Sequence, residues 1–417
     1  MTTAPVPMRL QLWNGLAYDL GPAPAVTVKV KAPSAVKALV AADFSDLGEA
    51  FIREQIDVEG PMLEAMRAAD ALVHGARPRA QTWTRLRRAV VHSRKKDAKA
   101  IEHHYDVSNE FYRLWLDRNM AYSCGYFRSD GDSLDAAQEQ KFEHICRKLR
   151  LAPGERMLDI GCGWGGLILH AARHHGVRAL GITLSRNQFD FVRERIAREG
   201  LADRCAVELR DYRDVPEDDK FDKIASVGMF EHVGLANLPL YFRKIERLLA
   251  DDGLVMNHGI TTMDPRSRAV GMGAGSFIDR YIFPHGELPH LSLAIRAMSE
   301  QNLEAVDIES LRHHYARTLD FWASRLEAAQ ARARELVGEQ RYRTWLVYLA
   351  GCAHAFSQGW ISLHQILAAK ASRKGMKPLP WTREHQYESR LQTASRSGAT
   401  YMGTHPVNGD AHNFCGR

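Results

Sequence analysis

The chain has 417 residues, of which 45% are hydrophobic and 25% charged, and its net charge is +6. This is an ordinary globular composition, long enough for two domains or for one large domain with an appendage. No stretch reaches the roughly 18–20 apolar residues that span a bilayer, and the opening MTTAPVPMRLQLWNGL lacks the basic-then-apolar order of a secretory signal. The cysteines (Cys124, Cys146, Cys162, Cys205, Cys352 and Cys415) include no C-x-x-C pair, so a reduced cytoplasmic chain with no metal site and no disulfide framework is expected.

Residues 8–40 alternate apolar and polar positions (RLQLWNGLAYDL, then AVTVKVKAP), with turn signals at Asn14-Gly15 and Gly21-Pro22, which predicts short strands. Residues 41–75 read as helical, interrupted from Asp57 to Pro61. A basic window follows: Arg77, Arg79, Arg85, Arg87, Arg88, Arg94, Lys95, Lys96 and Lys99, with Asp97 as its only acid. A linker or hinge helix is predicted over 76–99. Its charge reads either as a solvated face or as attraction to an anionic surface, nucleic acid or membrane.

From residue 151 the rhythm becomes strand, glycine turn, helix. ERMLDI, VRALGITLS, CAVELRDYRDV, FDKIASV and GLVMNHGITT read as strands, separated by LILHAARHH, RNQFDFVRERIAREG and LPLYFRKIERLLADDG as helices. This alternation predicts an α/β fold with a mostly parallel, doubly wound sheet. The C-terminal third reads as helical (ARTLDFWASRLEAAQARARELV, then YRTWLVYLAGCAHAFSQGWISLHQILAAK). The last 20 or so residues read as a tail.

Gly161, Gly163 and Gly166 of LDIGCGWGG have the G-x-G-x-x-G spacing of a nucleotide-binding loop at the end of a strand. Two details choose the ligand. Asp159, just ahead of the glycines, suits a cationic amino-acid moiety and not a pyrophosphate. A nicotinamide enzyme would place an acid at the end of the second strand, but that strand ends Gly181-Ile182-Thr183, with no acid before Asp190. Both favour S-adenosylmethionine (SAM). Thr183, Ser185 and Gln188 are then the polar groups available to the ribose, and Asp211 to the adenine amino group. The plainer readings are a strand end for Thr183, a helix cap for Ser185 and a turn for Asp211.

HHYDVSNEFYRLWLD, MAYSCGYF, LDIGCGWGG, GITLSRNQ, SVGMFEHVG, NHGI, YIFPHGELP and HYARTLDFW follow one another in this order. From about residue 100 to 385 the chain resembles the cyclopropane-fatty-acid synthase family, which includes the mycolic-acid methyltransferases. The stretch containing GEAFIREQIDVEG is similar to the smaller N-terminal lipid-associated domain of full-length bacterial synthases. The resemblance implies a class I SAM-dependent methyltransferase, Rossmann-like, with a smaller N-terminal α+β domain. The implied division is 1–75 lipid-associated, 76–99 basic linker, 100–390 catalytic and 391–417 tail.

The implied reaction is methyl transfer to a cis double bond of a phospholipid acyl chain, with bicarbonate as proton acceptor during ring closure. Cys124, Glu231, His258, Ile260 and Tyr315 match the family's bicarbonate positions. His258, Tyr315 and backbone amides near Cys124 and Ile260 would donate to the ion, while Glu231 would take its hydroxyl and orient His258. Read singly, a buried Cys is a small hydrophobe and a strand-end His a cap. Tyr122, Ser123, Gly161, Gly163, Thr183, Gln188 and Asp211 match SAM contacts, with Asp159 beside them. Tyr281 matches the acyl-channel side, as an aromatic face for a cation or as plain apolar wall. His285 and His290 depart from the pattern near the substrate entrance.

The same resemblance implies peripheral docking on the inner face of an anionic phospholipid membrane, no nucleic-acid partner, and a homodimer as in related bacterial synthases. Two alternatives stand beside it. One is a family member that methylates the alkene without closing a ring, giving a methyl-branched or methylene lipid. The other is a non-catalytic lipid-binding protein on a methyltransferase scaffold, which the intact glycine loop and Glu231 argue against.

Overall fold

The computed structural model describes residues 6–41, 43–75, 107–267, 274–282, 287–370 and 379–387. The basic window, His285 and the C-terminal tail lie outside them. The chain divides into two compact units, Met1–Pro378 and Leu379–Arg417; the second contributes the short helix Glu384–Tyr387.

A small N-terminal sheet comes first, formed by β1 (Met8–Gln11), β2 (Ala17–Asp19), β3 (Val26–Val30) and β4 (Ile56–Glu59) in the order β2-β1-β3-β4. The Asn14-Gly15 turn closes β1 on β2, where the Gly15 φ of +87° needs a residue without a Cβ. Val26, Val28 and Val30 alternate inward from β3, the period-2 pattern of a half-buried strand. Helix Phe44–Ile52 starts on Asp43, whose side chain accepts from the Ser45 and Asp46 amides. The predicted interruption at 57–61 is an edge strand and a turn, which separate that helix from Met62–Gly75.

The large sheet has seven strands: β5 (Arg156–Ile160), β6 (Arg178–Thr183), β7 (Cys205–Leu209), β8 (Phe221–Val227), β9 (Leu249–Thr262), β10 (Leu303–Ser310) and β11 (Ile361–Lys370). Their order is β10-β11-β9-β8-β5-β6-β7. β5 to β9 run parallel, whereas β11 is antiparallel to both β9 and β10. β10 and β11 are the largest departure from the sequence reading. The helix Glu339–Gln358 stops at Gly359, whose φ of +74° closes it in the left-handed conformation, and ISLHQILAAK is strand, not helix.

The connecting helices are amphipathic in the expected way. Leu238, Tyr241, Phe242, Ile245 and Leu248 form the buried stripe of Leu238–Leu248 at helical spacing. After β5 the chain moves out through β6 and β7, then returns to place β8 and β9 on the other side. The carboxyl ends of β5 and β8 therefore flank the switch point where open α/β sheets hold ligands. One continuous apolar cluster runs from the N-terminal sheet through the helices Arg312–Ala328 and Glu339–Gln358, and a second packs Leu238–Leu248 against the large sheet.

Candidate active site

At that switch point a cavity is lined by all eight candidate cofactor residues: Tyr122, Ser123, Asp159, Gly161, Gly163, Thr183, Gln188 and Asp211. The loop after β5 can approach a ligand because of its glycines. Gly161 and Gly163 have φ of +80° and +55°, which side-chain-bearing residues seldom adopt. Gly166 opens the helix Gly166–His175, and a Cβ there would lie 2.5 Å from the Phe142 ring, so helix and ring can meet only at glycine.

Asp159 is 2% exposed, and its Oδ1 has no hydrogen-bond partner among the described residues. Burial pushes its carboxyl up to about 7, and the nearby Lys141 ammonium opposes that rise. Lys141, from the helix Leu134–Lys148, also lines the cavity and donates to Ser123 Oγ at 2.8 Å. Burial lowers its own pKa to about 8. Sequence reasoning missed Lys141, because a lysine within AQEQKFEH reads as solvent-facing; only the packing of the helix turns it inward.

Thr183 and Gln188 hydrogen-bond one another at 2.8 Å, while the Ser185 hydroxyl caps the helix Arg186–Arg198 by accepting from the Gln188 amide. Ser185 thus takes its plainer role and does not line the cavity. Asp211 lines the cavity and is also a turn residue. Its carboxylate accepts from the Arg213 amide at 2.9 Å and from the Arg213 guanidinium at 2.9 and 2.6 Å.

Cys124, Glu231, His258, Ile260 and Tyr315 do not line this cavity; Cys124 and Glu231 are chain neighbours of residues that do, and the His258 carbonyl accepts from the Gly228 amide of the lining at 2.8 Å. Cys124 follows Tyr122 and Ser123, and Glu231 lies between Met229 and His232 in a short helical turn. His258 and Ile260 share one face of β9 at the two-residue period of a strand. Glu231 Oε1 accepts from the Ile260 amide at 2.7 Å. That contact requires Gly259: a Cβ on it would lie 2.0 Å from the Phe230 ring. Burial, and then the neighbouring Tyr348, Cys124 and Glu231, raise the Tyr315 phenol.

Two expected details differ. The Ile260 amide is taken by Glu231, and the partner of His258 is Gln365, whose Nε2 lies 3.2 Å from Nδ1. Glu231 Oε2 and His258 Nε2 are buried without a hydrogen-bond partner among the described residues. Burial pushes Glu231 up to about 7 and His258 down to about 3, so the imidazole is neutral at physiological pH. Burial likewise raises the Cys124 thiol, which disfavours a thiolate nucleophile.

Around Tyr122 stand Tyr112, Trp115, Trp322 and Trp345, with ring centroids 5.3–6.2 Å from its own. Tyr281 packs against Phe277 of its own helix, Ala274–Tyr281, at 5.1 Å and does not line the cavity. His290 caps the helix Leu291–Ser299 by accepting from the Ser292 amide. No helix among the described residues is long and apolar enough to cross a membrane.

Residues 92–366 match the family model described as mycolic acid cyclopropane synthetase, and residues 2–73 match a domain of unknown function. A probable fatty acid methyltransferase of Pseudomonas putida is 51% identical over 92% of this chain and 96% of its own. Cyclopropane-fatty-acyl-phospholipid synthase of Escherichia coli is 37% identical over 68% of this chain and 71% of its own. Among solved structures, a mycolic acid cyclopropane synthase complexed with SAH and CTAB is 34% identical, with a TM-score of 0.62 over 66% of this chain and 98% of that one. A glycine-loop cavity at the switch point of a mostly parallel sheet, in a chain matched over this span, shows that the protein belongs to the mycolic acid cyclopropane synthetase family and is a SAM-dependent methyltransferase.

Proposed function

We propose that the chain methylates the cis double bond of unsaturated phospholipid acyl chains and closes a cyclopropane ring there, the proton being lost to a bicarbonate held by Glu231, His258 and Tyr315. The observation that carries this reading is a pair of buried atoms, Glu231 Oε2 and His258 Nε2, with no hydrogen-bond partner among the described residues, on residues that match the family's anion positions. When bound, SAM supplies an electrophilic methyl group and bicarbonate a proton acceptor.

The chain's own groups suit these ligands. Asp159 Oδ1 is an unused buried acceptor on the cavity wall, fit for a cationic amino-acid moiety. The Gln365 amide, donating to His258 Nδ1, keeps the imidazole proton on Nε2, so that atom is a donor. The Tyr315 phenol is held protonated by burial and is a second donor. Glu231 accepts when ionised, and its link to the Ile260 amide fixes its orientation. The ring faces around Tyr122 favour a positive centre through their quadrupoles.

The test is to incubate the protein with SAM and unsaturated phospholipid vesicles, then analyse the acyl chains by mass. A gain of one CH2 unit that resists mild hydrogenation supports the ring. No gain with any unsaturated lipid overturns the reading. The name of the Pseudomonas putida relative supports a second outcome, methylation without ring closure; a methylene product would be readily reduced.

The same reading assigns 1–75 to lipid association, 76–99 to a basic linker, 100–390 to catalysis and 391–417 to a tail. It makes the protein a cytoplasmic homodimer that docks on an anionic leaflet through the basic window. Each Lys or Arg near such a surface contributes about 1 kcal/mol. Binding to anionic vesicles should weaken as salt rises and after joint Arg85→Ala, Arg87→Ala and Arg88→Ala substitution; salt-insensitive binding counts against it.

A further inference from the structure

Away from the cavity, the helices Leu134–Lys148 and Gly166–His175 bring together side chains that the methyl-transfer chemistry does not use. Cys146, His170 and His175 each present one donor atom, and the three atoms lie within 4.8 Å of one another. Glu143 adds a fourth, because its Oε2 lies 3.1 Å from His170 Nε2 and 2.9 Å from His175 Nε2. Cys146 is 0% and His175 3% exposed, and His170 is partly buried.

We propose that Glu143, Cys146, His170 and His175 form a binding site for one divalent transition-metal ion of the zinc class. One thiolate, two imidazoles and one carboxylate are the borderline donor set that zinc takes in tetrahedral sites. Calcium and magnesium demand oxygen donors instead. Metal–ligand bonds of about 2.0–2.3 Å imply donor separations of roughly 3.3–3.8 Å. The glutamate–imidazole distances are already close to that range, and the donors of Cys146, His170 and His175, within 4.8 Å of one another, need to close by no more than about 1 Å. Arg147 Nε holds Glu143 Oε1 at 2.6 Å, which turns the other oxygen toward the imidazoles as an outer-shell partner would.

Four protein donors leave no open position, so the site is structural. It ties together two helices that both reach the cavity: Lys141, Phe142 and Ile145 come from the first, Gly166 and Leu167 from the second. The sequence hides it, because the donors are spread as E-x-x-C and H-x4-H on separate helices and match no finger or ribbon spacing.

The test uses the whole chain, stripped with a chelator and titrated with zinc and with cobalt(II), and it does not read methyl transfer. The expected result is one equivalent of zinc and a Tm rise of about 3 °C or more at hundredfold excess over Kd. The cobalt form should show a thiolate charge-transfer band that Cys146→Ser abolishes. His170→Gln, at a less buried position, should weaken metal affinity at least tenfold, whereas His313→Gln on the surface should not. The proposal is overturned by the absence of stoichiometric binding, by a cobalt form without a thiolate band, by unchanged affinity in the folded H170Q protein, or by equal losses in H170Q and H313Q.

Discussion

Asp159 carries its carboxyl where almost no water reaches it, and this makes the cavity sensitive to pH. Its folded-state pKa lies at about 7 against an ordinary value of 3.8, so the native protein holds this proton more tightly than the unfolded chain does. The sign follows directly: the contribution to stability is greatest below about pH 4 and declines as pH rises to about 7. His258 works in the opposite sense, because its pKa is depressed and its burial favours the native state as pH rises through that range. The difference between wild type and Asp159→Asn isolates the acid. Wild type should lose stability relative to the variant between pH 4 and 7, by up to about 4 kcal/mol at 1.36 kcal/mol per unit. Parallel denaturation curves across that range would refute the assignment. Glu231 permits a sharper separation of fold from chemistry. In Glu231→Gln the carboxamide oxygen can still accept from the Ile260 amide, so Tm should stay close to wild type while turnover falls about 100-fold or more, the usual worth of a proton-handling group. A large Tm loss with normal residual turnover would make Glu231 a structural residue only.

At the scale of elements, the turn that carries Glu231 lies against β9 only because Gly259 has no side chain. A methyl group there would meet the Phe230 ring at 2.0 Å, too short for any rotamer adjustment, so the turn must lift and pull Glu231 from the Ile260 amide. Gly259→Ala should therefore cost about 1–3 kcal/mol of stability and also lower turnover, whereas the same change at the helical Gly351, which has no atom within 4 Å of an added Cβ, meets no such crowding. What the sequence disclosed at this scale followed physical clarity. The parallel strands β5 to β9 were legible because turns and amphipathic helices set them apart, helices following β5, β6 and β8 and the short turn Tyr212–Asp214 following β7. β11 was not: it lies between β9 and β10 with eight of its ten positions buried, so it lacks the alternation that marks a strand. Its apolar run continued the preceding helix with only Gly359 to divide them. The eight cavity residues were legible through their motifs, and Lys141 was not, because its burial is a property of packing.

For the whole molecule, the question is how the N-terminal sheet bears on a cavity it does not line. The helix Glu339–Gln358 connects them. On one side Arg343, 5% exposed, donates to the carbonyls of Phe51 and Ile56 at 3.1 and 3.4 Å, pairs with Asp57 at 3.2 Å and lies over the Phe51 ring. On the other side the same helix sends the Tyr348 hydroxyl to Tyr122 at 3.2 Å and packs Phe356 against Tyr315. The apolar cluster is continuous through this helix, so the N-terminal sheet and the cavity walls should unfold in one calorimetric transition. Arg343→Ala removes a buried guanidinium from two carbonyls and from the Asp57 and Glu339 carboxylates, although the Glu54 amide still serves Phe51, Lys31 still pairs with Asp57 and Arg334 with Glu339, a loss of about 1–3 kcal/mol. Arg343→Lys should recover only part of it, because one ammonium cannot reproduce the guanidinium fork that reaches both carbonyls and Asp57 together. If the two regions are coupled as this packing requires, Arg343→Ala lowers the single transition or splits it, and turnover falls although no group in the cavity has changed. An unchanged melting profile in that variant would mean that the N-terminal sheet rests on the catalytic region without supporting it.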